Sequence, residues 1–203
     1  MALSSLGING GEFPHWPVEK ICDLAVQLRA QFVELGVGRI AKEGIASVQN
    51  AFVSRKLMVH LNCATSELAS GMPAARELSS PVIVVFDDAV ERADLSRAES
   101  LEAFRRTVID LLEQPANAGI RIAMENSIIR MTRQPEDLMA IVAAVSHPRF
   151  GVNYDPDNYY NAGIEGFPYA YELVRPHILH MHAKDSARWI PHIHGCLLYT
   201  SDA

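Results

Sequence analysis

Three short stretches concentrate side chains able to do chemistry: AMENS around Glu125, NYDPDN around Asp155, and HMHAKDSAR at 180–188. A carboxylate, a second carboxylate and an imidazole make a mixed oxygen and nitrogen donor set that suits Mn²⁺, Mg²⁺, Co²⁺ or Zn²⁺; donor type alone does not choose among them. In the third stretch, side chains alternate across a strand, so His180, His182 and Lys184 are predicted to share one face while Met181 and Ala183 take the other. Ionisable groups on one face of an apolar strand are costly to bury without partners, which marks that face as a site. Taken singly, each residue also has a structural account. On that account Glu125 would pair with an arginine, Asp155 would cap the turn ahead of Pro156, and His182 would be a hydrogen-bonded core histidine. Recurrence at successive strand ends favours the site.

The elements that must position these groups are short β-like runs alternating with amphipathic runs. Candidate strands cover 4–9, 31–35, 57–62, 81–88, 120–126, 150–155 and 178–185, several of them apolar nearly throughout, as strands covered on both faces are. Between them, Ile21, Leu24, Ala25 and Leu28 follow helical spacing, as do Leu101, Phe104, Val108 and Leu111, and then Leu138, Ile141, Val142 and Val145. Pro17 and Pro135 sit where first helical turns begin, and Gly119 follows the helix that starts near Ser100. Repeated βα units with right-handed crossovers leave a doubly wound sheet or a barrel. Glu34, His60, Asn62, Asp87, Glu125, Asp155 and His182 all fall at or near the carboxyl ends of different strands. A barrel converges those ends on one face, whereas a doubly wound sheet gathers its ligand contacts at one switch point. The expected fold is therefore α/β, an incomplete (β/α)8 TIM-barrel type with about seven strands present.

Composition narrows the function classes. The 203 residues, 49% hydrophobic and 21% charged, read as one domain over 1–194, with no apolar run of membrane-spanning length. The amino terminus lacks a basic segment followed by a long apolar run, so a cytoplasmic protein is expected. Cys22, Cys63 and Cys196 are odd in number and far apart, which fits reduced thiols. A net charge of −6 disfavours broad nucleic-acid binding. Asp87 and Asp88, as adjacent residues, point to opposite faces and are expected in a solvated turn. Phe13 and Trp16 serve equally as an apolar wall for a ligand or as core packing.

On AMEN, NYDPDN and the His-x-His-x-Lys-Asp run, the chain resembles the xylose isomerase-like barrel proteins, in their sugar isomerase and epimerase branch, over most of its length. The resemblance implies a divalent metal held by Glu125, Asp155, His182 and a further Glu. It implies isomerisation or epimerisation of a ketose or related polyhydroxy carbonyl compound through an enediolate, with Glu125 as the catalytic carboxylate. Related epimerases carry a His three residues after the metal-binding Asp, where this chain has Asn158. They also carry a substrate-contacting Arg six residues after the metal-binding His, matched by Arg188. With Lys184, His60 and Glu34, these two complete the candidate substrate contacts, and His180 is expected to support the site by hydrogen bonding. The partner class is a small sugar; unpaired strand edges also allow a homo-oligomer. The fourth ligand is expected at the end of an eighth strand beyond the point where the chain stops. Residues 195–203, GCLLYTSDA, break the pattern and are expected to be a non-native tail on a C-terminally truncated member. Alternatives are an inosose-type dehydratase, an apurinic-site endonuclease on the same fold, or an inactive fragment lacking the fourth ligand.

Overall fold

Each strand is short and mostly apolar, and nearly every one hands the chain to a helix whose apolar stripe faces the sheet. The computed structural model describes residues 5–88, 90 and 92–184. The first half runs β1 (Gly7–Asn9), α1 (Val18–Gln27), β2 (Phe32–Gly36), α2 (Val37–Glu43), α3 (Ile45–Arg55), β3 (Met58–Ala64), α4 (Leu68–Glu77) and β4 (Val82–Phe86). The second runs α5 (Arg97–Leu112), β5 (Arg121–Glu125), α6 (Pro135–Val145), β6 (Phe150–Tyr154), α7 (Pro156–Asn161), α8 (Tyr171–Val174) and β7 (Ile178–Met181). Helix starts follow local chemistry. Ser96 and Glu99 form a reciprocal capping box ahead of α5, and Pro135 opens α6 where its missing N–H costs nothing.

The seven strands are all parallel and their spatial order equals their chain order. A doubly wound sheet reverses order at a switch point; this one does not, so it is a half-barrel of the (β/α)8 kind. In a flat sheet β2 and β7 would stand about 24 Å apart, five spacings of about 4.8 Å. Here Glu34 of β2 lies 2.9 Å from His182, just past β7, and His60 of β3 lies 3.2 Å from His180 of β7. The sheet therefore curls until interior side chains from β2 and β3 meet those of β7 and the residue after it. Val33, Leu35, Leu61, Ile83, Val85, Ile122, Met124 and Val152 are all buried in the core.

Two expected boundaries change. Over the described residues β7 stops at Met181, short of the expected strand, although the His182 N–H still donates to Tyr154 O at 3.0 Å and His180, His182 and Lys184 all reach the same cleft; Asp185 lies outside the described residues. The pairing also slips: Val152 faces Ile178 while Asn153 faces His180, leaving Leu179 as an extra residue. Leu179 then packs over Gly151, where a Cβ would stand 2.4 Å from His177 O and 2.7 Å from Leu179 Cγ. Only glycine fits under that crossing. The second change is at β4, which ends at Phe86. Asp87, expected in a solvated turn, is buried, its Oδ2 accepting from the Thr132 N–H at 2.8 Å and lying 2.9 Å from Thr132 Oγ1. Asp88 faces the other neighbour, accepting from the Thr65 N–H at 2.6 Å and from Ser66 Oγ at 2.7 Å. The two carboxylates tie the loops after β5 and β3. Among the described residues, no helix is long and apolar enough to cross a membrane.

Candidate metal centre

The carboxyl ends of β5, β6 and β7 supply the site. Glu125 closes β5, Asp155 follows β6, and His182 follows β7. Asp155 is fixed because its Oδ1 accepts the Asn158 N–H at 3.0 Å, capping α7 with Pro156 at the first helical position. Capping uses one oxygen only. Oδ2 is buried with no aligned hydrogen bond, although the Lys184 ammonium stands 2.8 Å away. Glu125 divides in the same way: Oε1 accepts Asn158 Nδ2 at 2.8 Å, while Oε2 is buried with no hydrogen-bond partner.

His182 Nδ1 lies 3.4 Å from Glu125 Oε2 and 3.8 Å from Asp155 Oδ2, and the three donors all fall within 4.8 Å of one another. Buried carboxylate oxygens left without hydrogen bonds are costly. A divalent cation among the three would satisfy both, and two carboxylates with an imidazole are a donor set such ions accept, so the residues fit a metal.

The opposite edge of His182 is different. Nε2 lies 2.9 Å from Glu34 Oε2, and Glu34 Oε1 accepts Asn62 Nδ2 at 2.7 Å. His180 Nε2 approaches the same Glu34 oxygen at 3.7 Å, so Glu34, His180 and His182 form a second group of possible ligands. Its members are already committed to protein partners. His180 Nδ1 lies 2.9 Å from Asn153 Oδ1, and His180 Nε2 meets His60 Nδ1 at 3.2 Å. Asn153 Nδ2 in turn sits 3.0 Å from His182 Nδ1.

The charges follow from these contacts. Burial raises the Asp155 carboxyl against the pull of Lys184, and the neighbouring Glu125 charge adds to the rise. Burial also works against a charged Glu34, but hydrogen bonding and charge from His182 outweigh it and hold that carboxyl below its ordinary value. Burial disfavours the His182 imidazolium, yet the adjacent Glu125 and Glu34 carboxylates lift it to about 10. His60 and His180 are pushed down to about 4, chiefly by burial, and stay neutral.

The structure places the remaining candidates as follows. Glu34 and His60 sit in mid-strand inside the barrel, deeper than the strand rims; the His60 ring stacks on Phe32 with centroids 3.8 Å apart. Lys184 Nζ contacts Asn158 Oδ1 at 3.2 Å as well as Asp155. Both amide hydrogens of Asn158 are spent inside the protein, on Glu125 Oε1 and on Asn126 O. Arg188 lies outside the described residues. A cleft of about 470 Å³ reaches Glu34, Glu125, His180, His182 and Lys184, with Phe13 on its wall. Trp16 instead pairs with the Phe13 ring. Sequence reasoning missed Asn126 and Asn153. Asn126 grips the Asp155 backbone at both ends, its Oδ1 accepting the N–H at 2.8 Å and its Nδ2 donating to the carbonyl at 2.9 Å. The available signal was an Asn within or directly after an apolar strand, beside the acidic residue that drew attention.

Comparison with known proteins agrees with this architecture. A family model described as xylose isomerase-like TIM barrel matches residues 2–195. No curated protein matches the chain. Among solved structures, the probable 3-DHS dehydratase AsbF from Bacillus anthracis superposes with a TM-score of 0.74 at 16% identity, covering 93% of this chain and 76% of that one. A D-allulose 3-epimerase from Methylomonas sp. gives 0.75 at 13% identity, covering 93% and 75%. A D-psicose 3-epimerase from Clostridium cellulolyticum H10 gives 0.71 at 12% identity, covering 92% and 75%. At these identities the likeness concerns the fold.

Proposed function

Since the chain belongs to the xylose isomerase-like TIM-barrel family, we propose that it is a metal-dependent isomerase or epimerase acting on a ketose or related polyhydroxy carbonyl compound. The observation that carries this reading is the convergence on His182 Nδ1 of two buried carboxylate oxygens, Glu125 Oε2, which has no hydrogen-bond partner, and Asp155 Oδ2, which has the Lys184 ammonium at 2.8 Å.

Glu125, Asp155 and His182 are the residues that would hold the cation. When bound, a divalent ion supplies Lewis acidity, polarising a substrate carbonyl so that a neighbouring C–H becomes more acidic. The remaining work belongs to the chain. Glu125 is the carboxylate that would take the proton beside the carbonyl, leaving an enediolate; returning a proton to the same carbon from the opposite face completes epimerisation, and returning it to the adjacent carbon completes isomerisation. Asp155 brings negative charge that the Lys184 ammonium balances at 2.8 Å. Lys184, on the cleft wall, is the side chain suited to a substrate hydroxyl or phosphate; the family resemblance implies the same task for Arg188, which lies outside the described residues. Phe13 and Phe86 give the cleft apolar surface against which a sugar ring can lie.

The experiment is deuterium incorporation from D₂O into a panel of ketoses, with Mn²⁺ or Co²⁺ supplied. The reading expects exchange at the carbon beside the carbonyl, lost in Glu125→Ala. Net loss of water from the substrate would replace it with a dehydratase, and cleavage of abasic DNA with a nuclease.

A further inference from the structure

Asn158 occupies a position that the proposed reaction does not by itself explain. It is 9% exposed, and every polar atom of its side chain is engaged: Nδ2 donates to Glu125 Oε1 and to Asn126 O, both at 2.8 Å, and Oδ1 receives Lys184 Nζ at 3.2 Å. Its backbone N–H donates to Asp155 Oδ1 at 3.0 Å. One residue thus holds one oxygen of each carboxylate in the centre, and in each case it is the oxygen pointing away from His182 Nδ1. The oxygens it leaves alone, Glu125 Oε2 and Asp155 Oδ2, are the two without hydrogen bonds.

We infer that Asn158 is a positioning residue that restricts Glu125 to one free oxygen, preventing the carboxylate from offering both oxygens to a cation at once. This rests on the metal-centre reading above. The physical basis is competition for lone pairs. A carboxylate binds a divalent ion through one oxygen or two, and a hydrogen bond from a buried amide to one of them favours the single-oxygen mode. The amide cannot drift, since Asn126 O takes its second hydrogen and the Asn126 side chain is itself locked to the Asp155 backbone. Strands β5 and β6 are thereby cross-tied through side chains as well as through their ladder, and the two acidic ligands move as one unit.

Optical titration with Co²⁺ alone tests this, because the intensity of the visible bands falls as coordination number rises. The wild-type chain, Asn158→Ala, Asn158→Leu and Asn158→His are compared, with thermal melting as the check on folding. Asn158→Ala removes the donor, so it should bind Co²⁺ within about threefold of wild type while its visible band weakens by ~2-fold as Glu125 contributes a second oxygen. Asn158→Leu keeps the volume without the donor and should show the same weakening, which decides the matter if the alanine variant does not fold. Asn158→His retains a ring N–H at similar reach and should keep the wild-type band. A wild-type band in folded Asn158→Ala or Asn158→Leu overturns the inference and leaves the metal centre standing. Absence of Co²⁺ binding by the wild-type chain overturns the metal centre and the inference with it.

Discussion

The two edges of His182 face neighbourhoods built from similar residue types but in opposite states. At Nδ1, Glu125 and Asp155 each leave one buried oxygen without a hydrogen bond. At Nε2, both oxygens of Glu34 are bonded, to His182 and Asn62, and His180 is satisfied by Asn153 and His60. Donor type and proximity do not distinguish the two groups. The unpartnered Glu125 Oε2 does, because a buried acceptor without a partner is a cost that a ligand can relieve, whereas Asp155 Oδ2 has the Lys184 ammonium at 2.8 Å. On the proposed reading the Nδ1 side is the binding side, and the Nε2 side is the support that holds the ring in place.

The largest expected effect comes from removing the unspent oxygens. Glu125→Ala and Asp155→Ala should each weaken Co²⁺ binding by more than ~100-fold, beyond the range of changes to outer partners. Isothermal titration measures this, and an effect under tenfold in either would break the distinction between the two edges. Glu34→Gln probes the other side. It keeps the volume and one acceptor but removes the charge opposing His182, and a ~10- to 100-fold loss of affinity is expected, with binding still detectable. Complete loss there, equal to Glu125→Ala, would make Glu34 a ligand.

Part of this comparison was legible in the sequence. AMEN, NYDPDN and HMHAKD are polar interruptions at the ends of apolar runs, and period-two alternation with parallel pairing is enough to bring their ends together. Chain order of the strands followed from the repeated βα pattern together with the polar residues at successive strand ends, which favoured a barrel over a doubly wound sheet. The division of labour within each carboxylate was not legible, since it depends on partners set by sheet curvature. Glu34 and His182 are 148 residues apart in sequence. No spacing rule specifies that contact. Likewise Asp87 looked like half of an exposed acidic pair, but Thr132, 45 residues on, folds back to bury it. The slip at Val152/Asn153, where Leu179 packs over Gly151, is a tertiary feature that no spacing in the sequence announces.

A smaller effect is the pH dependence of stability, which has opposite signs at the two edges. His60 and His180 titrate near 4 in the fold and near 6.5 unfolded, so the unfolded chain binds more protons between those values. Their contribution is complete above about 6.5 and is lost as pH falls toward 4. His182 is raised to about 10, so its contribution is complete below about 6.5 and is lost as pH rises toward 10. Urea midpoints across pH, with metal chelated, should decline at both ends; His180→Gln should soften the acid limb and His182→Gln the alkaline one. An acid limb unchanged in His180→Gln would show that the interior histidines are not held neutral as described.

The central claim is that the cation belongs at Nδ1 of His182, and anomalous diffraction from crystals grown with Mn²⁺ or Co²⁺ tests it most directly. The account predicts one strong anomalous peak bounded by Glu125 Oε2, Asp155 Oδ2 and His182 Nδ1. A peak bounded by Glu34, His180 and His182 Nε2 instead, or no peak at either edge at saturating metal, would contradict it.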